Sequence, residues 1–126
     1  MLDQPGDGIC TAEHLNHICI AVRDIEDMGV RVALVKVGGS QLEFVQPTES
    51  QGSVARFIER RGEGMHHICF EVDHLEGKLG LLESRGVELI DRTPRRGISG
   101  MIAFIHPRST RGVLIELVDS DSTGRE

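Results

Sequence analysis

The sequence predicts an α+β fold of two repeated βαβββ modules, whose strands form a cup-shaped mixed sheet with helices outside. The first module lacks its helix and second strand. Three observations carry this. A strand-like tract near the start of the chain recurs 50 positions later. Each copy is followed downstream by an apolar strand with a glutamate at its centre. Helical spacing of leucines fills the interval in the second copy only.

The first element is the tract His17-Ile18-Cys19-Ile20-Ala21-Val22, within a strand expected over 15–22. It alternates Ile18, Ile20 and Val22 on one face with His17, Cys19 and Ala21 on the other. Strands are expected next over 30–37 and 40–46, the latter carrying Glu43 between Leu42 and Phe44. Pro47 ends the module. Residues 53–61 read as a linking helix, with Val54, Phe57 and Ile58 on one face and Gly62 as its stop. The second module opens with His67-Ile68-Cys69-Phe70-Glu71-Val72, in a strand expected over 66–72. A helix follows over 74–85, where Leu75, Leu79 and Leu82 recur at helical spacing before Gly86. Strands are expected over 87–91, 100–105 and 112–119, with a loop over 92–99. The domain organisation is then a single domain over 1–126, with modules at about 12–47 and 65–119.

The two copies are unequal in length. His67 and Glu116 stand 49 positions apart, whereas His17 and Glu43 stand only 26 apart, so the first module is short by 23. The second module shows what is absent: a helix and a short strand, which belong between Asp27 and Met28.

The repeat also locates the chemistry. His17, Glu43, His67 and Glu116 all lie opposite the heavily apolar strand faces. A charged Glu set between Leu-Ile and Leu-Val is costly to bury without a partner. Its occurrence twice, each time with a strand histidine, points to a shared divalent metal site rather than to four unrelated polar residues. Approximate symmetry between the modules brings the four toward one point. His66 is expected to face away from His67, and His14, His74 and His106 to be structural or exposed. Cys19 and Cys69 read as small buried thiols.

Composition narrows the function classes. The net charge is −6, from 20 acidic and 14 basic residues, with no Trp, no Tyr and four Phe. An acidic surface without basic stripes or interleaved aromatics argues against nucleic acid as a partner. Arg60-Arg61 read as a solvated face, and Arg95-Arg96, in a glycine-containing loop, as an anchor for an anionic ligand. No apolar run is long enough to span a bilayer. The first residues, Met1-Leu2-Asp3-Gln4-Pro5, show no signal-peptide pattern. Three cysteines without a C-x-x-C motif fit a reducing compartment. A cytoplasmic protein without a membrane partner is expected.

Two tracts carry a family resemblance. They are Gly64-Met65-His66-His67-Ile68-Cys69-Phe70-Glu71-Val72 and the run from His106 to Leu117, supported by His14 to Val22 and Gly29 to Ala33. Together they resemble the vicinal oxygen chelate superfamily, and within it the methylmalonyl-CoA epimerases. The resemblance implies an isomerase that interconverts the two epimers at C2 of methylmalonyl-CoA, a small-molecule acyl-CoA substrate, through a metal-stabilised enolate. It implies a divalent cofactor (cobalt, manganese, zinc or nickel) held by His17, Glu43, His67 and Glu116. Glu116 doubles as one catalytic acid/base group; the second has no clear match in this sequence, with Asp27 only nearby. It also implies a homodimer. Other members of the superfamily are glyoxalase-like isomerases and dioxygenases, and a non-catalytic ligand-binding module is the further alternative.

Overall fold

The structure is a computed structural model, and it describes residues 12–25, 34–48 and 52–123. Seven strands and two α-helices are present among them: β1 (His14–Ala21), β2 (Leu34–Val37), β3 (Ser40–Val45), α1 (Ser53–Arg61), β4 (Gly64–Val72), α2 (Leu75–Ser84), β5 (Arg95–Arg96), β6 (Met101–Ile105) and β7 (Ile115–Asp119). The α+β class is as expected. The residues flanking the proposed deletion, Asp27 and Met28, and the first part of the strand expected over 30–37 lie outside the described residues.

The chain divides into two compact units, Asn16–Ile68 and Cys69–Glu126 with Met1–Leu15. The divisions fall inside β1 and β4, so each of these strands contributes residues to both units.

In the Asn16–Ile68 unit the strand order is β2-β3-β1. β1 runs parallel to β3, with His17 opposite Gln41 and Cys19 opposite Glu43. β2 returns antiparallel along β3. Paired residues point to the same face of a sheet, so His17, Cys19 and Glu43 share one face, as the alternation predicts. The opposite face carries Ile18, Ile20, Leu42 and Phe44, all only half-buried. α1 ends where Gly62, at φ 81°, donates its N–H to the Ile58 carbonyl, a conformation that glycine adopts without strain.

In the Cys69–Glu126 unit the order is β4-β7-β6-β5. Here the apolar face is covered. Leu75, Leu79 and Leu82 of α2 pack on Val72, Ala103, Ile105 and Leu117, with Phe70 and Ile115 beside them. Full burial of a leucine stabilises by about 1.5–3 kcal/mol, and these three are 0–2% exposed. Cys69, Ile102 and Val118 pack on the other face.

Two expectations need correction. Residues 87–91 form no strand, only a single bridge between Leu89 and Ile105. The cause is local. Ile90 and Asp91 both donate their N–H to the Phe104 carbonyl, which sets two residues against one as in a β-bulge. The Asp91 carboxylate then accepts the Phe104 N–H at 2.9 Å, displacing the backbone carbonyl that a ladder would use. The strand expected from 112 begins at Ile115 instead. Arg111 and Gly112 both have positive φ, and Thr110 bonds through its hydroxyl to the Val113 carbonyl, so this stretch belongs to the turn.

Candidate metal centre

The centre is built from residues on β1, β3 and β4 within the Asn16–Ile68 unit. His17 is buried, 3% exposed, on β1. Its Nε2 stands 3.1 Å from Nε2 of His67 on β4. The rings meet edge-on, with centroids 5.2 Å apart. Nitrogens on one ion at about 2.0–2.1 Å, separated by right or tetrahedral angles, stand about 2.9–3.4 Å apart. The observed gap therefore fits two imidazoles turned toward a common cation.

The residue before each histidine orients its ring. Nδ1 of His17 lies 2.6 Å from Oδ1 of Asn16. An amide oxygen only accepts, so Nδ1 of His17 donates and its Nε2 keeps the lone pair. In the second copy the equivalent of Asn16 is His66, and its Nδ1 lies 2.9 Å from Nδ1 of His67. Such partners direct a metal-binding imidazole; between His66 and His67 either Nδ1 can be the donor. His66 is itself held edge-on to Phe57 of α1. The expectation that His66 faces away from His67 is thus overturned: the backbone alternates, but the two rings turn toward each other. The signal was present in the sequence, since Asn16 and His66 occupy matching places in the repeat.

Glu43 stands beside this pair. Its Oε2 lies 3.9 Å from Nδ1 of His17, on the ring edge away from His67. Its side chain is 31% exposed, leaving it room to turn. Cys19, His66 and His67 bring their ligand atoms within 4.8 Å of one another, a grouping the sequence reading did not anticipate. Glu116, the fourth predicted ligand, is buried on β7 in the other unit, opposite Phe104 of β6.

The remaining polar residues have local roles. His14 Nε2 lies 3.0 Å from Oε2 of Glu71, which is fully buried, so His14 has a partner that sequence reading did not identify. His106 accepts the Arg108 N–H and starts a short 3₁₀ turn at Pro107. His74 precedes α2 and is exposed. Arg60 and Arg61 are exposed, as expected. Arg95 is engaged by Asp91 at 2.9 Å and lies over the Phe104 ring. It forms part of β5 with Arg96, rather than a loop.

A module that opens on a histidine strand and closes on a glutamate strand, present in two copies and carrying opposed imidazoles, defines a class of two-module α+β proteins. The chain belongs to the glyoxalase/bleomycin resistance protein/dioxygenase superfamily, whose model matches residues 24–104. It is 43% identical over 96 residues to YqjC of Bacillus subtilis, covering 75% of this chain and 69% of that protein. It is 29% identical to human mitochondrial methylmalonyl-CoA epimerase, covering 92% of this chain and 79% of that one. A Streptomyces coelicolor methylmalonyl-CoA epimerase variant, solved in complex with 2-nitronate-propionyl-CoA, superposes with a TM-score of 0.74. It shares 26% identity over 91% of this chain and 100% of that one.

The human match extends over 139 aligned positions, and 92% of a 126-residue chain is about 116 residues. About 23 aligned positions of that relative therefore have no counterpart here, which agrees with the shortfall of 23 between the two copies of the repeat.

Proposed function

We propose that this protein is a divalent-metal-dependent isomerase that epimerises methylmalonyl-CoA at C2. The observation that carries the reading is the pair of strand imidazoles 3.1 Å apart, one oriented by Asn16 and the other by His66. Relatives named methylmalonyl-CoA epimerase support the choice of reaction. The proposed ligands are His17, His67, Glu43 and Glu116, the last two assigned by their matching places in the repeat.

The C2 proton of the substrate lies between a thioester and a carboxylate, and its loss leaves an enolate. A bound divalent ion supplies Lewis acidity that lowers the free energy of that enolate. The chain's own work is to orient the ligand imidazoles, exclude water and move the proton. Burial of His17 serves the first two tasks. Glu116 is the proposed acid/base group on one face of the substrate. Asp27, outside the described residues, is the nearest carboxylate in sequence to the place of the second group. The proposed setting is a cytoplasmic homodimer.

Solvent deuterium should enter C2 of methylmalonyl-CoA with metal-loaded protein, and EDTA should stop it. Absence of exchange with metal bound would overturn the assignment. A second reading, a non-catalytic binding module, is favoured by the half-buried apolar face of the short unit. Tight acyl-CoA binding without exchange would support it.

A further inference from the structure

We propose that Cys19, His66 and His67 form a second cation site, selective for a thiophilic ion such as Zn2+, that competes with the first for His67. The three side chains carry one thiol and two imidazoles, a ligand set suited to borderline and soft metals. Their ligand atoms lie within 4.8 Å of one another. A tetrahedral Zn2+ with sulfur at about 2.3 Å and nitrogen at about 2.0–2.1 Å needs ligand atoms about 3.3–3.6 Å apart. Small rotamer adjustments reach that geometry. Nδ1 of His66 and Nδ1 of His67 already face each other at 2.9 Å. Cys19 is buried at 2% exposure, while both histidines are half-buried, so an ion can enter from the imidazole side and be sealed by the thiolate.

The competition follows from the ring. His67 presents Nε2 to His17 and Nδ1 to His66. A neutral imidazole has a single lone pair. With the lone pair on Nε2, Nδ1–H donates to His66 and the ring serves the first site. With the lone pair on Nδ1, it serves the second, and Nε2–H points at His17. One tautomer change therefore transfers His67 between sites. Binding at the second site displaces the Cys19 proton to solvent and forms a metal–sulfur bond, with no change of oxidation state.

The test is titration of the metal-free full chain with Co2+, which gives a near-ultraviolet charge-transfer band only when a thiolate is bound. The band should appear in the wild type and disappear in both C19S and C19A. It should persist in C10S and C69S. It should also persist in H17A and saturate at lower Co2+, because the competing site is gone. Either of two results overturns the proposal: no band in the wild type, or a band that survives both Cys19 substitutions. The band is independent of turnover. Loss of deuterium exchange alone would defeat the epimerase reading and leave this one standing, and absence of the band alone would do the reverse.

Discussion

At the scale of single residues, the repeat made the histidines and glutamates visible, and the structure adds what holds them. Asn16 is the clearest case. Its amide oxygen lies 2.6 Å from Nδ1 of His17 and fixes which nitrogen is available to an ion. Removing such an orienting partner typically weakens metal affinity about 10- to 100-fold. Isothermal titration of N16A with Co2+ should show a loss in that range, with N16D retaining most of the affinity because a carboxylate also accepts from Nδ1. Equal affinity in N16A and the wild type would mean that packing alone sets the ring. The approach of His17 to His67 was legible because the histidine strand occurs twice; Glu43 and Glu116 were singled out as ligands by the same repeat of a glutamate strand. Cys19 and His66 were legible only as members of the repeated His-Ile-Cys and paired-residue patterns. Their contacts depend on χ angles, which alternation along a strand does not determine. The His14–Glu71 pair joins residues 57 positions apart that are not equivalents in the repeat, and no local pattern announces it.

At the scale of elements, α2 is the best-predicted piece, because three leucines at helical spacing leave one face to bury. Leu79 is 1% exposed within the cluster that includes Val72, Ala103 and Leu117. L79A should lower unfolding free energy by about 2–5 kcal/mol, the usual range for a buried leucine whose cavity cannot fully collapse, as read by urea denaturation. The approach to α2 also carries an acid-sensitive contact. Lys78 Nζ bonds the Asp73 carboxylate at 2.6 Å. That hydrogen bond, seconded by His74, lowers the Asp73 pKa from its ordinary 3.8. A depressed folded-state pKa gives stability that is fully present above the ordinary value and is lost as pH falls below it through the folded value. D73N should therefore cost less in acid, as pH falls below the ordinary value, than at neutral pH, with thermal midpoints as the readout. The strand expected over 87–91 failed at this scale for a reason its apolar pattern does not encode. Val87, Leu89 and Ile90 have strand character, but Asp91 turns its carboxylate onto the Phe104 N–H and closes the ladder.

At the scale of the whole molecule, the inequality of the two modules bears on the proposed homodimer. β6 and β2 hold matching places, each antiparallel to its module's glutamate strand. β6 is buried at Ile102, Ala103 and Ile105, with β5 paired to Met101 and Ile102 and Leu89 bridged to Ile105. β2 stands at the end of the strand order, and Leu34, Val35 and Val37 are 42%, 40% and 61% exposed. The shortfall of 23 positions in the repeat falls before this strand, where the second module carries α2 and the Leu89 bridge. An apolar strand at a sheet edge invites another strand, and a lysine placed there discourages it. Lys36 already stands in β2, flanked by two valines. If the proposed homodimer forms along this edge, antiparallel pairing of two β2 strands sets like residues near one another about a twofold axis. A second lysine in each strand then adds repulsion between the copies as well as desolvation. V37K should shift sedimentation velocity profiles from dimer toward monomer, more strongly at low than at high salt, since added ions screen the repulsion. The matching substitution at an exposed site away from the edge, L81K on α2, should leave the dimer intact. A V37K protein that remains as dimeric as the wild type would place the association elsewhere, and would leave the β2 edge protected by Lys36 alone.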